Sequence, residues 1–263
     1  MAEVGTYLYA ITLGAGGAPP ADVPGVAGAP VRTVTHDDLV AYVSPVPLDR
    51  FGEEPLRRSL EDLDWVGETA RAHHRVVEAV AGRAPTAPVR LVTIYSSEDQ
   101  VRDLLHRRRD DFAAVLARVA GRREWGVKVY ANPVTAGSPA EGEGLAEAEK
   151  PGTAYLRRRR ESLRSRDEAW RAAAAHAERV HAELAAVAVA SRRHRPQDPQ
   201  LSGRDDWMVL NGAYLVEEER GEEFTAAVDA LRGQGVEVEL TGPWAPYSFT
   251  AMDLGTADEE DAR

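Results

Sequence analysis

The 263-residue sequence predicts an α+β protein of two domains. Short runs rich in Val, Thr, Tyr and Ile, which are typical of strands, alternate with longer segments whose apolar residues recur every three or four positions, as on one face of a helix. The 43% hydrophobic content is sufficient for two cores. The order of these patterns changes near residues 120–124, which predicts domains at 1–122 and 123–263.

The first domain reads as strand, strand, strand, helix, strand, helix. Its strands are the alternating run VGTYLYAITL, the pair VRTVTH and LVAYVSPV, and the later run APVRLVTIYSS. Asp37 and Asp38 form the predicted hairpin turn within the pair. Apolar periodicity predicts one helix from Glu53 to about Gly82, and Ser97 is the predicted N-cap of the second helix.

The second domain reads as strand, helix, strand, strand, helix, strand. The strand EWGVKVYANP is followed, after an acidic turn-rich loop, by a long helix at about 153–187 that contains neither Pro nor Gly. The runs VAVASRRHR, WMVLNGAYLVEEE and GVEVEL supply the other strands, with a helix from about Gly221 to Leu231, and the chain ends in an acidic tail. This βαββαβ order predicts a ferredoxin-like fold.

Charge and cysteine content argue against several classes of protein. The formal net charge of −11 disfavours general binding to nucleic acids or anionic membranes. The lack of cysteine excludes disulfides, thiol nucleophiles and cysteine-ligated metals. The first residues carry an acid where a secretory signal needs base, and no uncharged apolar run approaches the roughly 18 residues of a membrane span. We therefore predict a cytoplasmic protein.

No pattern of catalytic or cofactor-binding residues stands out. The chain contains no GxSxG, Walker A or GxGxxG motif. His73 and His74 are adjacent on a predicted helix, so their side chains point about 100° apart, whereas zinc ligands on a helix are spaced four residues apart. We expect both histidines to have a packing or helix-surface role. The residues therefore show no reactive site, and the sequence predicts neither a cofactor nor a metal.

The long helix carries an apolar seam and a basic cluster. Apolar residues recur every seven positions, at Leu156, Leu163, Trp170, Ala177 and Leu184. This spacing predicts that one side of the helix packs on a neighbour. Acidic residues interleave the arginines and no aromatic side chain is available for base stacking, so a solvated face or an acidic protein partner is favoured over nucleic acid. The predicted protein-binding candidates are Arg157, Arg158, Arg159, Arg160 and Trp170.

The stretch ELTGPWAPYSF at residues 239–249 concentrates glycine, proline and aromatic residues in a chain that is only 6% aromatic. It contains no nucleophile or strong acid–base group, so a rigid structural corner is favoured over an active-site loop or a partner-binding motif. The glycine allows a positive φ, the prolines stiffen the chain and end the strand, and the aromatic rings are predicted to fold back on the last sheet. The predicted structural motif comprises Gly242, Pro243, Trp244, Pro246, Tyr247 and Phe249.

This stretch resembles the TGPWPPYSF-type ending of the GvpL/GvpF family of gas vesicle accessory proteins. The segments YLYAI, HHRVVEAV with APVRLVTIY, PGTAYLRRRRE and MVLNGAYLVEEERGEEF follow in the order of that family, so the resemblance covers nearly the whole chain. The sequence departs from the family pattern at two places. PVRLVTIY replaces the more usual Pro-x-Arg-Phe-Gly-Thr, and Ala245 stands where proline is common.

The resemblance implies a cytoplasmic, non-enzymatic protein needed for gas vesicle formation. It implies a modified ferredoxin-like fold for the N-terminal domain, a related fold for the C-terminal domain, and binding to the hydrophobic shell protein GvpA or to other Gvp accessory proteins. It does not distinguish the L member from the F member. The alternative hypothesis is a small-molecule or effector-binding protein that uses the cleft between its two domains.

Overall fold

The computed structural model describes residues 3–14, 17–20, 22–131, 151–196, 206–233 and 236–250 of the chain. Within the long helix, only the backbone is described for residues 151–158, 161–162 and 165–166. The predicted acidic tail and the acidic loop before the long helix lie outside the described residues. Of the helices described, none is both long enough and apolar enough to cross a membrane.

The chain forms two compact units. The first unit contains the chain up to Glu124 and again from Pro243, and the second contains Trp125–Gly242. The chain therefore leaves the first unit once and returns to it at the closing stretch. The sequence analysis had placed that stretch with the second domain.

The first unit contains a four-stranded antiparallel sheet in the order β2-β3-β1-β4. Its strands are β1 (Val4–Leu13), β2 (Arg32–His36), β3 (Leu39–Pro47) and β4 (Thr86–Tyr95). Its helices before the return are α1 (Leu48–Phe51), α2 (Glu53–Ser59), α3 (Leu63–Ala81), α4 (Glu98–Arg107) and α5 (Arg109–Val119). The strand order is that of a ferredoxin-like sheet, but the described residues between β1 and β2 form only a 3₁₀ turn at Val26–Gly28.

The second unit contains a four-stranded sheet in the order β6-β7-β5-β8. Its elements are β5 (Arg122–Ala131), α6 (Pro151–Val187), β6 (Ala190–Arg193), β7 (Trp207–Glu217), α7 (Gly221–Ala230) and β8 (Val236–Trp244). This is the βαββαβ arrangement predicted from the sequence. One core joins the sheet to α6 and α7, with Leu184, Tyr214 and Phe224 fully buried.

Two cores cover the two faces of the first sheet. One core contains Leu8 and Ile11 of β1 with side chains from α4 and α5, and the other contains Tyr7, Tyr9 and side chains from α3. Strict alternation along β1 is interrupted because the pairing with both neighbours shifts register between Leu8 and Ala10. This β-bulge places Tyr9 and the next residue on the same face.

The structure confirms the predicted hairpin turn and the predicted helix cap. Asp37 and Asp38 are the two residues between β2 and β3, and Asp37 adopts the positive φ of +50° that such a turn requires. The Ser97 side chain accepts a hydrogen bond from the N–H group of Gln100 at the start of α4.

The single helix expected from Glu53 to about Gly82 is instead two helices. Helix α2 ends at Ser59 and α3 begins at Leu63. The break occurs because the Asp62 side chain accepts hydrogen bonds from the N–H groups of Asp64 and Trp65, which starts a new helix. Periodicity alone did not reveal this cap, since Leu60 and Leu63 keep the helical spacing although both are exposed.

Strand β8 is longer than predicted, because it continues through Pro243 to Trp244. It lies at the edge of its sheet, where a residue without an N–H group does not remove a ladder hydrogen bond from a central strand. Proline therefore does not end the strand at this position.

Val92 on β4 is the backbone position at which strain is expected. Its φ is +58°, which is rare for a β-branched residue. We expect Val92→Gly to change the free energy of unfolding by no more than about 1 kcal/mol, because relief of roughly 1–3 kcal/mol of strain offsets the lost packing and the added chain entropy. Chemical denaturation measures this change.

The matched control is Val43→Gly on β3. Val43 is 1% exposed and is not among the residues with positive φ. This change is expected to cost about 2–4 kcal/mol, because it removes packing and relieves no strain. Equal losses for the two variants would contradict the assignment of strain to Val92.

Candidate functional site

The closing stretch runs along the first unit and ends in a short helix, α8 (Tyr247–Thr250). Gly242 has a φ of +117°, so the positive φ predicted for this glycine is confirmed. Ala245, Pro246 and Phe249 are buried, whereas Trp244 is 39% exposed. The motif therefore packs on the first sheet rather than on the sheet of β8.

Two carboxylates accept hydrogen bonds from the closing stretch. Glu78 on α3 accepts a hydrogen bond from the Ala245 N–H group at 2.7 Å and from Arg123 at 2.8 Å. Glu124 accepts hydrogen bonds from the N–H and hydroxyl groups of Ser248 at 2.7 and 2.6 Å. Hydrogen bonds to an ionised acceptor are the stronger class, so these two side chains hold the segment in one register.

Further hydrogen bonds attach α8 to other elements of the same unit. Arg118 on α5 donates to the Phe249 carbonyl at 3.0 Å, and the Thr250 hydroxyl donates to the Pro88 carbonyl of β4 at 3.2 Å. The sequence analysis connected none of these receiving groups with the closing stretch. They lie more than a hundred residues before the closing stretch, and no local motif marks them.

The aromatic rings of the closing stretch pack on the two histidines of α3. Trp244 meets His74 edge-on with ring centroids 5.1 Å apart, and Tyr247 lies 6.3 Å from both His73 and His74. The hydroxyl group of Tyr7 lies 3.1 Å from His73 Nδ1 and accepts a hydrogen bond from the Val92 N–H group at 3.0 Å. Because the hydroxyl proton is free to donate, His73 Nδ1 is assigned as its acceptor. Both histidines thus pack within the unit, as the sequence analysis expected.

His73 is 3% exposed, and its environment favours the neutral ring. The pKa of His73 is lowered to about 4, chiefly by burial and also by the neighbouring His74, while a hydrogen bond with the Val89 backbone opposes the change. Burial likewise raises the pKa of Tyr247 above its ordinary value, and the nearby Glu78 adds to this effect. Both groups are therefore neutral near pH 7.

Helix α6 is buried along one side of its second half. Ala177, Val180 and Leu184 belong to the core of the second unit. The His181 ring on the same helix lies 2.9 Å, Nδ1 to hydroxyl, from Tyr214 of β7. The predicted seam therefore packs on its own unit over these turns.

Up to Trp170 the described side chains of α6 are exposed, except for the buried Ala169. Leu163 is 55% exposed and Trp170 is 45% exposed, although both continue the seven-residue spacing of the buried side chains. Trp170 contacts Trp207 edge-on, with ring centroids 5.3 Å apart. Arg159 and Arg160 are also exposed, and the side chains of Arg157, Arg158 and Leu156 lie outside the described residues. An apolar and basic surface is the result.

Within the described ranges, no group of three or more His, Asp or Glu side chains is arranged to hold a metal ion. The described titratable groups with the largest pKa shifts are tyrosines and a histidine that burial keeps neutral. The features that remain are the closing stretch, the exposed half of α6 and a basic pocket in the first unit, which is described below.

The two units define the class of tandem ferredoxin-like α+β proteins. The family model of the gas vesicle synthesis protein GvpL/GvpF matches residues 5–251 of this chain. The chain belongs to that family. It is 45% identical over 254 residues to gas vesicle protein L of Streptomyces sp. (strain CB03234), covering 97% of this chain and 94% of the relative. Its identity to gas vesicle protein F of the same strain is 25%, over 93% of this chain and 98% of the relative.

Solved structures support the fold. The crystal structure of GvpF from Anabaena sp. PCC7120 aligns with a TM-score of 0.67 at 20% identity, covering 95% of this chain and 97% of that chain. GvpF from Microcystis aeruginosa aligns with a TM-score of 0.63, also at 20% identity, over 94% and 99% of the two chains. The predicted α+β fold class is thereby confirmed.

The Ala245 amide provides a test of the closing contact. Proline at this position has no N–H group to donate to Glu78, so we expect Ala245→Pro to lower the free energy of unfolding by about 1–3 kcal/mol. In a Glu78→Ala background the same change is expected to cost much less, because its acceptor is already missing. Chemical denaturation of the four proteins measures the coupling, and equal costs in both backgrounds would contradict the assigned role of the bond.

Buried His73 is expected to make stability depend on pH. Its pKa is about 4 in the folded protein and near 6.5 when unfolded, so the unfolded chain binds the additional proton as pH falls between these values. Stability is therefore lost from about pH 6.5 down to about pH 4, by about 3 kcal/mol in total. The difference in unfolding free energy between wild type and His73→Gln should shrink by that amount over this range.

The control for this experiment is His194→Gln, which changes an exposed histidine of the second unit. That variant should keep the contribution that His73 makes to the pH dependence of the wild type. A His73→Gln protein with an undiminished pH dependence would show that His73 is not its source.

Proposed function

We propose that the protein assists gas vesicle formation by binding the shell protein GvpA, or another Gvp protein, through the exposed half of α6. The observation that carries this proposal is the exposure of Leu163 and Trp170 on the same side of the helix that buries Ala177 and Leu184 further along. Family membership supports the accessory role, and the choice of partner is the proposed step.

The exposed side chains suit an apolar partner. A partner that packs along α6 would extend the buried stripe to the exposed side chains of Leu163 and Trp170. Tryptophan at the centre of such a contact supplies a large area at low entropic cost, and tryptophan is enriched among residues that dominate binding energy. A shell subunit whose apolar face must later meet gas is prone to aggregate, so temporary cover of that face has a physical rationale.

The arginines of α6 suit the acidic flanks of a partner. The chain as a whole carries a net charge of −11, so the local excess of base at Arg159, Arg160 and Arg164 departs from the rest of the surface. Charges at the edge of an interface mainly raise the association rate and set the orientation. In this proposal the apolar side chains provide affinity and the arginines provide orientation.

The remaining parts of the proposal follow from the same role. We infer that the protein acts in the cytoplasm where shell subunits are made, without catalysing a reaction. The higher identity to gas vesicle protein L than to protein F of one strain favours an L-type role. The alternative of an effector bound in an interdomain cleft stays a prediction.

The test is co-purification of the tagged protein with each product of the neighbouring gas vesicle genes. We expect the wild type to retain GvpA or another Gvp protein, and the double variant Leu163→Gln/Trp170→Gln to bind it more than tenfold more weakly. The charge reversal of Arg157–Arg160 to Glu should slow association most strongly in low salt.

The matched control is Ala172→Gln/Ala175→Gln. Both alanines are exposed on α6 outside the apolar stripe, so this variant adds the same side chains without removing the contact. It should bind as the wild type does. Failure of the wild type to retain any Gvp protein, or equal loss in the control variant, would reject the α6 interface.

A further inference from the structure

A pocket of about 400 Å³ lies within the first unit, between the loop that precedes β2 and the helices α1 and α3. The loop contributes residues 24, 25, 27 and 28, α1 contributes Arg50 and Phe51, and α3 contributes residues from Trp65 to Arg75. The volume falls in the range of ordinary ligand sites. Neither the closing stretch nor the exposed half of α6 is part of its lining.

A hydrogen bond and close packing fix the loop that forms one wall of this pocket. The Val26 N–H group donates to the buried hydroxyl of Tyr9 at 2.8 Å. Gly25 packs so closely on Tyr9 and Ser44 that an added Cβ would collide with both hydroxyl groups. Ala27, which lines the pocket, adopts a φ of +55° that is uncommon for alanine. A fixed loop with an uncommon backbone conformation is typical of a preformed site.

The floor of the pocket is aromatic and its rim is basic. Phe51 is 2% exposed and Trp65 is half-buried, with ring centroids 5.7 Å apart. Arg50, Arg71 and Arg75 are exposed. The last two are four residues apart on α3, so both guanidinium groups lie on one face of that helix.

Among the described residues, these three arginines have no hydrogen-bond or ion-pair partner. Arg57 on the adjacent α2 pairs with Glu53 and Glu54, whereas no hydrogen bond or ion pair to a described residue involves Arg50, Arg71 or Arg75. Glu68 is the acidic residue in the lining, and it too forms no such pair. The lining therefore carries a net positive charge on a chain whose total charge is −11.

The geometry favours a carboxylate over a phosphate. Phosphate sites commonly use free backbone amides at a helix N-terminus, but the first amides of α3 already donate to Asp62. The Trp65 N–H group, which belongs to a lining residue, is one of those donors. The available recognition groups are guanidinium forks, which pair with carboxylates and phosphates alike, so the preference for a carboxylate rests on the lack of free amides at the start of α3.

The arrangement of charge and apolar surface favours a peptide over a free small molecule. A small ligand is usually enclosed over most of its surface, whereas here the cations are exposed at the rim and the aromatic rings form the floor. A peptide can insert one apolar side chain while a neighbouring carboxylate stays at the rim. Arginine and tryptophan are also the residues most enriched at protein interfaces.

We propose that this pocket binds a segment of a protein partner in which Asp or Glu stands next to an aromatic or large aliphatic residue. The apolar side chain lies on Phe51 and Trp65, and the carboxylate pairs with Arg71 and Arg75, while Arg50 adds to the positive charge of the lining. This second recognition site is separate from the α6 surface of the proposed function.

The test is selection from a phage-displayed library of random heptapeptides on the wild-type protein, with counter-selection on Arg71→Gln/Arg75→Gln. We expect enrichment of peptides that pair Asp or Glu with Phe, Trp or Leu. In fluorescence anisotropy the most enriched peptide should bind the double variant at least about tenfold more weakly than the wild type. A version of the peptide in which Asn or Gln replaces Asp or Glu should bind the wild-type protein with a similar loss of affinity. Both exposed arginines lie on a helix, where glutamine preserves helix propensity.

Two controls separate this site from the rest of the protein. Arg57→Gln/Arg58→Gln removes two exposed arginines of α2 outside the pocket, and Leu163→Gln/Trp170→Gln alters α6. Both variants should bind the peptide within about twofold of the wild type. Loss of binding in the α6 variant would mean that the peptide reports the surface of the proposed function.

Three results would overturn the proposal. The first is selection that enriches no acidic peptides, and the second is equal binding of the enriched peptide to wild type and Arg71→Gln/Arg75→Gln. The third is displacement of the peptide by adenosine monophosphate at nucleotide concentrations below the dissociation constant of the peptide. That result would assign the pocket to a ligand that combines a phosphate with an aromatic group.

Discussion

The first unit depends on the hydrogen bonds of one buried hydroxyl group, that of Tyr7. It accepts the Val92 N–H group where β4 departs from regular pairing, and it contacts His73 on α3. Without this acceptor the Val92 amide would be left without its partner in a partly buried position, which costs free energy. Burial raises the pKa of Tyr7 above its ordinary value, the Val92 amide opposes this rise, and the hydroxyl stays protonated. One atom therefore connects the central strand, the irregular edge strand and the helix that receives the closing stretch.

The second unit contains a similar pair. Tyr214 of β7 is fully buried and its hydroxyl lies 2.9 Å from His181 Nδ1 on α6. Burial raises the pKa of this tyrosine as well. In each unit, the hydroxyl group of a buried tyrosine on a central strand lies within hydrogen-bond distance of Nδ1 of a histidine on the packed helix. Both histidines thus have structural partners, which explains their presence in a protein without an evident metal site among its described residues.

The two departures from the family pattern both have physical consequences. Ala245 stands where the family commonly has proline, and its N–H group donates to Glu78. Val92 stands at the glycine of the usual Pro-x-Arg-Phe-Gly-Thr, in a backbone conformation that glycine adopts without strain. The first departure adds a hydrogen bond to the closing contact. The second adds strain beside the Tyr7 hydroxyl, which holds that backbone in place.

The sequence by itself determined the order of the strands, the hairpin at Asp37 and Asp38, the Ser97 cap and the positive φ of Gly242, because spacing, turn chemistry and capping act over a few residues. Only the tertiary structure decided that the closing stretch returns to the first unit, where Glu78 accepts from an amide 167 residues further along. It also decided that Leu184 is buried while Trp170, on the same seven-residue spacing, is exposed. Sequence periodicity records which side of a helix is apolar, but burial depends on what the rest of the chain places against each turn.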